Sequence, residues 1–182
     1  MQNLKVFFAV AILFSALFFN GCLQSTFDSG MAKISEMQAR YNLGEQFAPN
    51  NLEQISSFKA ELNKMKQETK DSALSSFIDL RLNAADTMES LIMSDLEFGR
   101  TNTVNMDCRA ESPLNKGIGF LENAFNKSAL GVKRFEAFKT TYPELVEKIQ
   151  QNGFQEERLS ELNSSIKTQL DSAKELKLVS CP

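Results

Sequence analysis

Residues 71–98 read DSALSSFIDLRLNAADTMESLIMSDLEF, and the spacing of their apolar side chains decides the fold class. Leu74, Phe77, Ile78, Leu82, Ala85, Met88, Leu91, Ile92 and Leu96 recur at intervals of three and four, the period of an α-helix. Asp79, Asn83, Asp86, Ser90 and Glu97 fall on the opposite side. An apolar arc this broad predicts the central, most buried helix of an all-α domain. Alternating β-branched runs bounded by turn residues occur nowhere in the chain, so no strand is predicted.

Working outward, the same period recurs on both sides. Met31, Ile34, Met37 or Gln38, and Tyr41 predict a helix over about 31–42, with Gly44 as its stop. Pro49 and Asn51, with Gln54 in the capping-box position, predict the start of a second helix striped by Leu52, Ile55, Phe58, Leu62 and Met65. After the long helix, residues 99–111 (GRTNTVNMDCRAE) lack periodicity and read as a loop. Ser112 followed by Pro113 is an N-cap with proline at the first helical position. Leu114, Ile118, Leu121, Phe125, Ser128, Val132 and Phe135 then continue at near-heptad spacing, suited to shallow helix crossings. A short helix is expected after a Thr141 capping box, ending at Asn152-Gly153. A last helix over about 155–179 presents Leu159, Leu162, Ile166, Leu170, Ala173 and Leu176. Long helices with short connections predict an antiparallel bundle of about four long helices plus one or two short ones, spanning 31–182. No repeat with a solenoid period is found.

Composition narrows function by exclusion. The 182 residues carry 20 Lys and Arg against 23 Asp and Glu, a net charge of -3 with no basic block, so no nucleic-acid partner is expected. There is no His. Ser-His and Cys-His nucleophile pairs, His general bases and His-ligated metals are therefore ruled out. Carboxylate-bridged di-metal bundles require inward Glu-x-x-His and are ruled out with them. No cofactor and no catalytic site are expected.

The first 22 residues stand apart. Lys5 precedes an apolar run from Val6 to Phe19, fourteen residues long and too short to span hydrocarbon that needs roughly 20. The run fits the h-region of a secretory signal peptide. Phe14, Phe18 and Phe19 are bulky where an ordinary signal peptidase wants small residues. Phe19-Asn20-Gly21-Cys22 resembles the lipobox of bacterial-type lipoproteins, matching at Gly21 and Cys22 and departing at Phe19 and Asn20. The resemblance covers residues 1–22 alone. It implies a signal peptide over 1–21, a lipid (diacylglyceryl and palmitate-type) anchor on Cys22, and an extracytoplasmic location; in a diderm bacterium, Leu23 after the Cys would imply the outer membrane. Residues 22–30 read as lipidated Cys and tether. The alternative is a buried or disulfide-bonded Cys22 behind an unprocessed signal anchor.

Cysteine parity agrees with the lipobox. With Cys22 acylated, Cys108 and Cys181 remain as one pair, expected to form a disulfide in an oxidising compartment.

Two charged residues, Arg81 and Asp95, fall within the apolar arc of residues 71–98. They lie about 21 Å apart along a helix and cannot pair with each other. Each calls for an interhelical salt bridge, a place at the edge of the arc, or a polar ligand pocket within the bundle. Glu144/Glu147 and Glu156/Glu157 sit in helix first turns, where the macrodipole favours acids, and read as structural. Gly117-Ile118-Gly119 predicts a close helix contact rather than a phosphate loop. Phe120 and Phe138 lie at the rim of the adjacent stripe and read as core.

Three functions stay open at this point. The first is a structural or interaction lipoprotein, a scaffold or assembly factor of the cell envelope with a protein partner. The second is a bundle that holds a small or lipidic ligand, for which a cavity lined by Phe and Met and reached by Arg81 would speak. An enzyme is the third and the least supported.

Overall fold

A computed structural model describes residues 26–41, 43, 52–101 and 107–181 and is an all-α bundle, with no strand among the described residues. Helix α1 covers residues 26–40. It is followed by α2 (Leu52–Glu68), α3 (Ser72–Gly99) and α4 (Pro113–Thr141). A single 3-10 turn (Pro143–Leu145) leads into short α5 (Val146–Gln151), and α6 (Glu156–Ser180) ends the bundle.

The long helices begin where their side chains can satisfy orphan amides. The Asp71 carboxylate accepts from the Leu74 amide at 3.0 Å, and the Ser112 hydroxyl accepts from the Asn115 amide at 3.3 Å with Pro113 behind it. The Thr141 capping box does not form. Thr141 belongs to the last turn of α4, where its hydroxyl donates to the Ala137 carbonyl, and Tyr142 occupies the cap position without a side-chain bond. The expected stop of the first helix at Gly44 and the Pro49–Asn51 start of the second lie outside the described residues, as do 1–21 and Cys22.

Part of the segment read as a tether is helix. Residues 26–30 form the first turn of α1, and Phe27, only 1% exposed, packs on Phe77 and Phe138. Gly30 lies so close to Leu74 that a Cβ would approach its side chain to 2.4 Å.

The core has two parts. The larger joins α1, α2, α3 as far as Ile92, the end of α4 and α5 around Ile34, Ile55, Leu62, Phe77 and Phe135. The smaller joins the start of α4 to α6 through Leu114, Leu121, Ile166 and Leu170. Leu176, expected in that stripe, is exposed, whereas Ala173 and Cys181 on either side of it in sequence pack against this core.

The face of α3 opposite the apolar arc is not a solvent face. Asn83, Ser90 and Glu97 are buried together with Thr87 and Ser94, because this face packs on α4. Small polar side chains let the two helices approach, and each finds a partner. Asn83 donates to the Lys127 carbonyl at 2.7 Å and accepts from Arg134. Ser90 accepts from Asn123 at 2.9 Å, and Ser94 donates to the Gly117 carbonyl at 3.0 Å. Gly117 is the close contact expected from the sequence: a Cβ there would meet the Phe98 ring at 2.8 Å. Of the two rim phenylalanines, Phe138 is core and Phe120 is half-buried.

Candidate functional site

Asp95 and Arg81 part company in the fold. Asp95 is exposed, on a stripe of α3 with Ala84, Met88 and Leu91 that no other described helix fully covers. Arg81 is 8% exposed and, among the described residues, has neither the interhelical carboxylate nor the edge position that charge burial calls for. Its Nη2 donates to the Asn152 carbonyl at 2.6 Å. The guanidinium carbon lies 5.0 Å from the centroid of Phe77 and 4.5 Å from that of Phe154, so the charge is held between two aromatic faces. Nε is fully buried and has no hydrogen-bond partner among the described residues. Burial lowers the guanidinium to about 10, which leaves it charged at neutral pH.

The residues around Arg81 are set by the end of α5. Gly153 has φ +87°, its amide bonds the Gln150 carbonyl at 3.0 Å, and the Phe154 amide bonds the Ile149 carbonyl at 3.1 Å. This is the Schellman pattern, which puts an apolar residue directly after the glycine back onto the fold. Here that residue is Phe154, and the freed carbonyl of Asn152 is the one that meets Arg81. Gly153 and the stop were legible in the sequence; Phe154 as a stacking partner was missed, although the position after a terminating glycine is itself the signal.

Two cavities flank the stripe of α3. The first, about 120 Å³, is almost wholly apolar and is lined by Met88, Leu91, Gly131, Phe154, Leu159 and Leu162 among others. The second, about 50 Å³, lies toward α1 and α2 and is lined by Gln38, Leu43, Ile55, Phe58, Arg81 and Ala85. Ala84 and Met88 line both. A wider cleft of about 340 Å³ between α1 and α5 is open to solvent, and its charges are paired, Lys148 with Asp28 at 2.7 Å.

Charges elsewhere tie helices together. Lys59 of α2 reaches Asp86 at 2.6 Å and Glu89 at 2.7 Å, and Lys127 of α4 reaches Asp86 at 3.2 Å. Burial opposes ionisation of Asp86, but the hydrogen bonds from Lys59 and Lys127 outweigh it and hold the carboxyl below its usual range. Glu156 pairs with Lys139 at 2.7 Å, consistent with the structural reading of that residue. No cluster of three or more metal-ligating side chains occurs among the described residues.

Cys108 and Cys181 are joined by a disulfide, with Cα atoms 5.6 Å apart and a sequence separation of 73. It fastens the loop before α4 to the end of α6. Just before it, Leu178 and Val179 are each 77% exposed and Leu176 is 46% exposed. No described helix is long and apolar enough to cross a membrane. Comparison with family models, with curated proteins and with solved structures finds no match to this chain.

Proposed function

We propose that this chain is a lipid-anchored extracytoplasmic protein that serves as a structural or interaction lipoprotein of the cell envelope, binding a protein partner rather than catalysing a reaction. The observation that carries the reading is the apolar last turn of α6. Leu176, Leu178 and Val179 stand in solvent, and the disulfide at Cys181 keeps that turn from being loose chain. Exposed aliphatic side chains on a clamped helix end are what a partner surface can bury.

Placement supports the same reading. Three residues separate Cys22 from the start of α1, so four peptide steps give a reach of at most roughly 14 Å. An anchor at Cys22 therefore holds the end of the bundle that contains Phe27 and Asp28 near the bilayer. The α6 terminus lies at the other end of α3, roughly 40 Å away for a helix of this length. A partner would be met there, clear of the membrane. The cavities beside α3 favour a second reading, a bundle that holds a small or lipidic ligand.

The anchor is tested by the intact mass of the protein extracted from membranes without reductant, compared with a Cys22→Ser variant. A chain beginning at Cys22 and heavier by a diacylglyceryl group is expected, with membrane retention lost in the variant. A Cys22→Ser protein still integral to the membrane overturns the anchor. The partner surface is tested by a photo-crosslinking residue at position 178 in cells. A discrete adduct that Val179→Glu abolishes, with helicity unchanged, is expected; crosslinks that are the same at an unrelated exposed position, such as Ser160, overturn it.

A further inference from the structure

Going beyond the proposed partner surface, we propose that the two cavities flanking α3 form one binding site for a medium-chain aliphatic carboxylate, a free fatty acid of about eight carbons, with its carboxylate on Arg81 and its tail beneath Phe154. The starting point is the unmatched cation. Arg81 is buried, and among the described residues no acid reaches it and its Nε has no partner. A charge taken out of water with only a carbonyl and two rings for company leaves a place for an anion. Arg81 lines the smaller cavity, whose other walls are mostly apolar, and Phe154, against its guanidinium, lines the larger one.

Size and shape select the ligand. An apolar cavity of roughly 150 Å³ holds a benzene-sized group. By that measure the 120 Å³ cavity takes on the order of five aliphatic carbons, and the 50 Å³ cavity a carboxylate with its first carbon. Ala84 and Met88 line both, and at Ala84 the side chain on the α3 ridge is a single methyl. A chain can therefore pass over Ala84 from one to the other, one or two carbons spanning the ridge. The larger cavity offers almost no polar surface, which suits a hydrocarbon tail and rejects a sugar or peptide.

The test uses the full-length protein in lipid nanodiscs with a diazirine-bearing octanoate as photoprobe, variants being compared at the same lipid content. Expected are adducts on peptides containing Met88 or Phe154, competed by unlabelled octanoate at least tenfold better than by octanol. Labelling should fall at least tenfold in Arg81→Met and be lost in Ala84→Trp, which is at an exposed position and keeps the fold. Adducts that fall elsewhere, or that persist in both variants, overturn the site. Equal competition by octanol overturns the role of Arg81. Should Arg81→Met lose helicity by circular dichroism, Ala84→Trp and the octanol comparison decide the matter alone.

Discussion

Removing the Cys108–Cys181 disulfide tests the architecture most directly. The bridge closes a loop of 73 residues' separation that contains all of α4, α5 and α6. In the chain-entropy treatment, such a cross-link restricts the unfolded chain by about 15 cal/mol/K, or about 4.4 kcal/mol at 25 °C. Folded contacts change little when it is cut: beyond Leu170, α6 contributes only half-buried or exposed side chains, and Cys181 itself touches the edge of the smaller core. Nearly the whole effect should therefore come from the unfolded state. For a protein of this length, a loss of about 4 kcal/mol lowers Tm by roughly 8–16 °C. The assay is urea unfolding of wild type and Cys108→Ser/Cys181→Ser without reductant, followed by circular dichroism. The midpoint should fall and the denaturant slope should rise slightly, because the uncrosslinked chain expands further. A loss under about 1 kcal/mol refutes the reasoning, since it means that the unfolded chain was never held by the bridge.

Three further outcomes are expected. Gly117→Leu drives a side chain into the Phe98 ring and costs about 2–3 kcal/mol by thermal unfolding, whereas Gly119→Ala, with nothing within 4 Å, gains roughly 0.5–1 kcal/mol from helix propensity. Arg81→Met exchanges a desolvated cation for an apolar side chain of similar length, so stability at neutral pH should hold within about 1 kcal/mol or rise. Because burial sets the folded Arg81 value below the unfolded one, wild type gains on the variant as pH rises through about 10; a loss above about 2 kcal/mol at neutral pH contradicts this account. Asp86→Asn should cost about 1 kcal/mol at neutral pH. With the folded Asp86 value depressed, that difference is full above the ordinary carboxylate range and vanishes as pH falls below it, which paired urea titrations at two pH values will read.

The helices were legible because apolar period and caps agree along most of the chain. Asp71, Ser112-Pro113 and Gly153 terminate elements where their chemistry says they should. What could not be read from period alone was which side of α3 meets which neighbour. Asn83, Ser90 and Glu97 look like a wet face, yet small polar residues are also what a close helix seam uses, as Asn83 finds a carbonyl and Ser90 an amide across it. Conversely, Asp95 lies inside the apolar arc by phase and is exposed, because the stripe it shares with Ala84, Met88 and Leu91 is left partly open. The start of α1 was missed for a related reason. Phe27 stands alone among polar residues in sequence, and only the aromatic partners Phe77 and Phe138 turn it into a buried anchor. Arg81 was marked by helical phase, whereas the cavities beside it depend on how three helices diverge.

The side-chain bonds along the α3–α4 seam have a mechanical consequence. Greasy helix pairs can slip by a turn and refill their knobs and holes, because one aliphatic contact resembles the next. Here Asn83 on the Lys127 carbonyl, Ser90 on Asn123 and Ser94 on the Gly117 carbonyl are each specific to one axial alignment. A ratchet of 5.4 Å would break all three at once and leave their buried groups dry. The pair behaves as a keyed shaft. Displacement applied at the end near Phe27 reaches the end near Cys108 as movement of the whole rod, not as sliding of one helix along the other.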